Sequence, residues 1–160
     1  MAKTEKTNAS RLLDRAGIKY ELVAYPVDEE HLDAQHVADA VGEDINKVFK
    51  TIVLHGERTG HFVCVLPGNA EIDLKLAAKA AGDKKAELIA VRELLPLTGY
   101  IRGGCSPIGM KKPFPTFFDS AVNGQDEIYV SAGRRGLQLK LNAAELVAFV
   151  HGNIADIKSH

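Results

Sequence analysis

Residues 47–54, KVFKTIVL, predict a β-strand that carries a lysine where a core residue is expected. β-Branched and aromatic residues are typical of strands. Side chains alternate between the two faces of a strand, so Lys50 shares one face with Val48, Ile52 and Leu54. Lys50 therefore has apolar neighbours on both sides.

Lys50 needs either water or a partner for its charge. Burying an unpaired ammonium group costs several kcal/mol, so such a lysine reaches the rim of its sheet or meets an anion in a polar pocket. The sequence leaves open a simpler alternative, an edge or barrel strand on which Lys50 faces water.

The composition is that of one globular domain, predicted to span residues 1–160. Hydrophobic residues make up 46% of the chain and charged residues 26%. The net charge of −1 argues against binding nucleic acid by charge alone. No apolar run is long enough for a membrane span and the N-terminus has no signal-peptide core, so we expect a cytoplasmic protein.

The cysteines and histidines indicate no metal centre. Their spacing matches no metal-ligand motif, and a cytoplasmic chain is expected to keep Cys64 and Cys105 reduced. Cys64 lies in an apolar strand and is predicted to belong to the core. His31 and His36 are predicted to face solvent.

Capping and stop signals predict four short helices and one helical turn. The first helix is capped by Asn8 or Ser10, has its apolar side at Leu12, Leu13 and Ala16, and stops at Gly17. The others are predicted at 34–41, 73–80 and 143–151, with the helical turn at 90–95 halted near Pro96.

Two β-hairpins are predicted with particular clarity. One joins residues 47–54 to 61–66, and the other joins 127–132 to 137–141. Further strands are predicted at 18–24, 84–89, 116–119 and 154–157, and Asn123-Gly124 is a turn signal. Hairpins mixed with short helices predict an α+β fold, a single domain with a mixed, barrel-like β-sheet flanked by short helices.

Residues 98–109, TGYIRGGCSPIG, form the second informative stretch. Its four glycines and one proline allow a ligand to approach the backbone closely and to meet exposed N–H groups. A plain connecting loop would have the same composition, so the stretch by itself favours neither interpretation.

Familiar catalytic patterns do not account for these residues. Cys105 could act as a nucleophile in the glycine-rich loop, but no motif places a base beside it. Ser106 and Ser131 lack a nucleophile-elbow pattern, and phosphate-loop and dinucleotide signatures are absent. A pocket of backbone groups, one lysine and hydroxyls suits recognition, or catalysis in which the substrate supplies the nucleophile.

Three motifs in their order along the chain resemble the YbaK branch of the YbaK/proline-tRNA synthetase associated domain family. They are Phe49-Lys50-Thr51, GGCSPIG at 103–109 and YVSAGRRGL at 129–137. The resemblance implies a free-standing editing domain that clears mischarged Cys-tRNA(Pro) without a cofactor. Such editing is needed because a synthetase pocket rejects small size differences only weakly. The resemblance also implies that the substrate's own thiol attacks its ester, which accounts for the missing protein nucleophile.

The resemblance further implies roles for individual positions. Lys50, Tyr25 and Ser131 would be catalytic, with Lys50 holding the phosphate or ribose of the terminal adenosine. The substrate-binding positions would be Gly103, Gly104, Ser106, Pro107, Gly109 and Gly133. Candidate tRNA contacts are Lys111, Lys112, Arg134 and Arg135, and prolyl-tRNA synthetase is the implied protein partner.

Two positions depart from the family pattern, Cys105 and Ala132. Cys105 is interpreted as incidental, while Ala132 affects only fine pocket shape. Three alternatives stay open: a deacylase that clears Ala-tRNA(Pro) by water attack, a non-catalytic module that binds a tRNA end, and a hydrolase that uses Cys105.

Overall fold

The computed structural model describes residues 6–159. Within them the chain forms five α-helices and eight strands, with two short 3₁₀ turns at Ile45–Lys47 and Ser120–Gly124. In chain order the elements are α1 Asn8–Ala16, β1 Tyr20–Ala24, α2 Ala34–Val41, β2 Phe49–Gly56, β3 Gly60–Pro67, α3 Leu74–Ala80, β4 Ala86–Leu88, α4 Val91–Thr98, β5 Thr116–Asp119, β6 Glu127–Ser131, β7 Leu137–Asn142, α5 Ala143–Phe149 and β8 Asn153–Ala155.

The strands form two sheets, which confirms the α+β class. One sheet has the order β1-β7-β6 and is antiparallel. The other has the order β4-β2-β3-β5-β8 and is mixed, because β5 pairs in parallel with both β3 and β8. A single bridge between Val48 and Tyr129 joins them, so the expected barrel-like sheet is instead two open sheets.

The main core fills the space between the two sheets. Phe49 and Val53 of β2 meet Leu139 and Leu141 of β7 there, and α1 adds the fully buried Leu13. A second core lies on the opposite face of the five-stranded sheet, beneath α3. Since β2 and β3 are covered on both faces, their sequences are almost continuously apolar.

Both predicted hairpins are confirmed. In the β2–β3 ladder Lys50 lies opposite Leu66, and in the β6–β7 ladder Ser131 lies opposite Gln138. The cysteines are both free and buried, and Cys64 belongs to the second core as predicted. No helix in the described part of the chain is long and apolar enough to cross a membrane.

Helix ends differ from the predictions in three places. The side chain of Thr7 caps α1, and Ala16 is exposed because the buried side runs through Ala9, Ser10 and Leu13. Helix α4 continues through Pro96 to Thr98. Proline removes only one hydrogen-bond donor from the helix, and the Gly99 N–H still bonds to the carbonyl oxygen of Leu95. Helix α5 ends at Phe149 rather than residue 151.

Three smaller predictions also change. Asn123 and Gly124 belong to a 3₁₀ turn, and the closing strand β8 begins at Asn153 to pair with β5. His31 is exposed as predicted, but His36 is half-buried because α2 packs against the three-stranded sheet. Its Nε2 is enclosed without a hydrogen-bond partner among the described residues.

Candidate functional site

A cleft of about 290 Å³ lies where β2 passes between the start of α2 and the glycine-rich loop. The ends of β6 and β7 close its inner side. Its walls therefore come from five separate parts of the chain, the fifth being Gly68 after β3. The lining residues are Leu32, Asp33, Ala34, Val37, Val48, Phe49, Lys50, Thr51, Ile52, Gly68, Arg102, Gly103, Cys105, Ser131 and Gln138.

Lys50 is half-buried in the wall of this cleft. Its ammonium group donates a hydrogen bond to the carbonyl oxygen of Ala70 at 2.5 Å. Burial lowers the pKa of Lys50, and the nearby Glu71 carboxylate acts against this effect. An ammonium has three N–H donors, so the bond to Ala70 leaves Lys50 able to donate to an anionic or carbonyl ligand.

The glycine-rich loop forms the facing wall. Gly103 has a φ of +84°, a conformation that favours glycine, and a Cβ there would lie 3.3 Å from the Arg135 side chain. Gly104 packs directly on the backbone of Arg134, and the Nε of Arg135 donates to the carbonyl oxygen of Arg102 at 2.8 Å. The loop and the β6–β7 turn are thus held against each other.

Ser131 reaches the cleft from the end of β6. It is 8% exposed, and its Oγ accepts a hydrogen bond from the N–H of Gly133 at 3.1 Å. Gln138 lies directly opposite it on β7 and also lines the cleft. The inner wall therefore presents hydroxyl and amide groups to a ligand.

Cys105 lines the cleft but is poorly suited to nucleophilic attack. Burial raises its pKa to about 12, so the thiol is protonated at neutral pH. No histidine belongs to the described lining residues, and Asp33, their one carboxylate, caps α2 by accepting the N–H of His36. The described lining thus offers Cys105 no histidine, and its one carboxylate is engaged in the cap of α2.

Other predicted site positions lie beside the cleft rather than in its lining. Tyr25 packs with Val37 and Val48, two residues that do line it. Gly133 lies against the Tyr100 ring, where a Cβ would approach to 3.1 Å. Tyr25 therefore supports a wall of the cleft from behind, whereas Gly133 packs against the glycine-rich loop through Tyr100.

The second half of the glycine-rich loop points elsewhere. The Oγ of Ser106 is buried and accepts the N–H of Ile108, which makes it a structural turn residue. Pro107, Gly109 and Lys112 line a different, largely apolar pocket with Met110, Phe114 and Phe149. Lys111 packs near Gly99.

Several lining residues were absent from the sequence predictions. Arg102 adjoins the glycine-rich motif and Thr51 belongs to the Phe49-Lys50-Thr51 motif, so position gave some signal for these two, while Gly68 adjoins no recognised motif. Gln138 gave none, because a polar residue alternating with leucines is typical of a solvent-facing strand. No group of described His, Cys, Asp and Glu residues could hold a metal ion.

Comparisons with known proteins agree with this arrangement. The model of the family described as "Aminoacyl-tRNA editing domain" matches residues 28–149. The chain is 44% identical over 153 residues to an Enterococcus faecalis protein named "Putative Cys-tRNA(Pro)/Cys-tRNA(Cys) deacylase EbsC". That match covers 96% of this chain and 93% of the relative.

Two further similar proteins have names that refer to the charging of tRNA with proline. A crystal structure titled as a "putative trans-editing enzyme for prolyl tRNA synthetase" superposes with a TM-score of 0.84 at 25% identity, covering 98% of this chain and 100% of its own. A proline–tRNA ligase of Fervidobacterium nodosum is 30% identical over 78 residues. This match covers 49% of this chain and 13% of the ligase.

Proposed function

The chain belongs to the aminoacyl-tRNA editing domain family, and we propose that it is a free-standing deacylase that removes cysteine from mischarged Cys-tRNA(Pro). One observation carries the proposal. Lys50, the backbone of Gly103 and Ser131, far apart in sequence, line one cleft in which Cys105, the one thiol among the described lining residues, is held protonated. Such a cleft binds and orients an ester but supplies no nucleophile of its own.

The proposed reaction uses the thiol of the substrate cysteine. Its sulfur attacks the ester carbonyl carbon, a C–S bond forms, and the C–O bond to the terminal ribose breaks. The thiol proton passes to the departing ribose oxygen, so the products are tRNA with a free hydroxyl and a cyclic thiolactone. Holding sulfur and carbonyl together supplies most of the rate enhancement, because the attack is intramolecular.

Each residue has a role that its position supports. Lys50 binds the phosphate or ribose of the terminal adenosine through the donors left free by Ala70. The Gly103 backbone and the Ser131 hydroxyl orient the aminoacyl group. Tyr25 supports Val37 and Val48 behind the cleft.

The tRNA body would contact the basic residues around the cleft mouth. Arg134 is exposed there, and Arg135 is bonded to the loop that carries Arg102. Lys111 and Lys112 belong to the part of the loop that turns away from the cleft, and Lys112 lines the other pocket, so they would contact tRNA outside the cleft. With a net charge of −1 the chain has only weak electrostatic affinity for tRNA, so we propose that prolyl-tRNA synthetase helps to hold the tRNA. Unchanged sedimentation of the chain on mixing with synthetase and tRNA would contradict that partnership.

Deacylation assays on three substrates test the function. We expect rapid loss of cysteine from Cys-tRNA(Pro) and little release from Ser-tRNA(Pro) or Ala-tRNA(Pro), since neither carries a thiol. Lys50→Ala should lower kcat/KM by about 10- to 100-fold, the cost of one charge-assisted contact. Lys19→Ala, an exposed lysine beside the far end of β1, is the matched control.

The outcomes separate the proposal from its rivals. Cleavage of Ala-tRNA(Pro) and Ser-tRNA(Pro) at the same rate would indicate water attack. Binding of charged tRNA without cleavage would indicate a non-catalytic module. Loss of activity in Cys105→Ala, with folding intact, would favour the hydrolase alternative. Any of these results would overturn the thiol-assisted mechanism.

A further inference from the structure

Gln138 is a buried polar residue whose side-chain oxygen has nothing to bond. The residue is 4% exposed, and its Oε1 is enclosed without a hydrogen-bond partner among the described residues. An amide oxygen left unsatisfied in this way costs about 1–3 kcal/mol. Its position at the wall of the cleft therefore needs an explanation in terms of a ligand.

The strand register places this oxygen at the inner wall. Gln138 lies directly opposite Ser131, so their side chains share one face of the three-stranded sheet. The Ser131 hydroxyl already accepts the Gly133 N–H, whereas the amide oxygen of Gln138 accepts no hydrogen bond from the described residues. Thr51 adds a second enclosed oxygen without a described partner in the same cleft.

The described lining carries both cationic and oxygen-bearing side chains. Lys50 and Arg102 are its cations, whereas Asp33, Thr51, Ser131 and Gln138 bring oxygen atoms, and Asp33 is engaged in the cap of α2. An aminoacyl ester of a nucleotide has matching groups, with phosphate oxygens at one end and a free ammonium group at the other. Like charges repel, so the ammonium favours the wall away from Lys50.

We propose that Gln138 binds the free α-ammonium group of the aminoacyl ester, with Oε1 as the hydrogen-bond acceptor. The inference rests on the proposed function only in placing an aminoacyl ester in this cleft. An ammonium group can donate but cannot accept, and it therefore matches an orphaned oxygen. The site would select esters with a free amine over N-acylated or peptidyl esters.

A pair of stable amide-linked ligands tests this without any chemical step. One is 3′-cysteinylamino-3′-deoxyadenosine 5′-phosphate, and the other is its 3-mercaptopropionyl counterpart, which lacks only the amine. The wild type should bind the amine-bearing compound about tenfold more tightly, as expected for a hydrogen bond to a charged group. Calorimetric titration measures the affinity ratio.

Three variants assign the preference to the side-chain oxygen. Gln138→Met should bind both compounds alike, and its unfolding midpoint should not fall, because Oε1 makes no internal bond. Gln138→Glu keeps acceptor oxygens and should retain the preference. Gln35→Met, on the exposed side of α2, should behave as wild type.

Retention of the amine preference in Gln138→Met would overturn the inference, and so would its loss in Gln138→Glu. Equal affinity of the wild type for the two compounds, or no binding of either, would overturn it as well. Those results leave the proposed function to be judged separately, by the cleavage of Cys-tRNA(Pro).

Discussion

The ammonium group of Lys50 lies 2.5 Å from the carbonyl oxygen of Ala70, twenty residues further along the chain. This bond ties strand β2 to the loop that follows β3. It fixes the direction of a cation whose neighbours on the strand are apolar. The side chain is thus oriented for a ligand before one binds, which lowers the entropic cost of binding.

Lys50 should make stability depend on pH. Burial lowers its pKa below the usual 10.5, so between the two values the unfolded chain binds more protons than the folded chain. Stability therefore rises with pH as it passes from the folded pKa towards 10.5. At pH 7 Lys50→Met should unfold at a higher urea concentration than the wild type.

That advantage of Lys50→Met should shrink as the pH rises from the folded pKa through 10.5, because Lys50 then loses its charge in the folded state and next in the unfolded state. Urea unfolding at pH 7, 9 and 10 measures the difference. A constant difference across this range would show that burial of the charge does not contribute.

Gly68 should be sensitive to any side chain. A Cβ at this position would lie 2.1 Å from the Cβ of Ala34, and its N–H bonds to the carbonyl of Val48. Gly68→Ala must displace the start of α2, at a cost of about 1–3 kcal/mol, and should raise KM by deforming the cleft. Chemical unfolding and deacylation kinetics measure the two effects.

Gly124→Ala is the matched control for that change. A Cβ at Gly124 would meet nothing within 4 Å and its φ is not positive, so we expect a gain of about 0.4–1 kcal/mol. Equal effects of the two substitutions would contradict the steric account of Gly68.

Cys105 should be dispensable for catalysis. With a pKa of about 12 its thiol is protonated at neutral pH, so Cys105→Ala should keep activity within about twofold. Loss of the buried sulfur should cost about 1 kcal/mol of stability. Native protein should react slowly with iodoacetamide at pH 7 at both cysteines, because burial raises the pKa of Cys64 to about 12 as well.

Arg134 should contribute to tRNA affinity through charge alone. Arg134→Ala should weaken binding of charged tRNA and reduce the slope of log K against log salt by about 1, as expected for one lost phosphate contact. Binding of an aminoacyl-nucleotide should not change. Arg92→Ala, an exposed arginine on α4, is the control. An unchanged salt slope would remove Arg134 from the interface.

Much of the fold follows from local patterns. Gly17 and Gly42 end their helices in the left-handed conformation, as their positions after apolar stripes predicted. Both hairpins follow from alternation and turn residues. Pro96 was misleading, because one missing donor did not outweigh the remaining bonds of α4.

The candidate site was only partly accessible from sequence. Lys50 could be identified as a candidate site residue from the sequence, because burying an unpaired charge within an apolar strand costs free energy. Ser106 and Gly109 share the motif that contains Gly103, yet they lie outside the cleft. Residues that are adjacent in a motif need not share a site. Here the loop turns away from the cleft after Cys105.

The sequence by itself determined the secondary structure, the α+β class and the unusual character of Lys50, since these depend on neighbours a few residues apart. Only the tertiary structure decided that Gly103, Ser131 and Gln138 join Lys50 in one cleft. Their meeting depends on how the two sheets and α2 pack. In particular, α2 covers a strand face that alternation assigns to solvent, and this burial leaves the Gln138 oxygen without a partner.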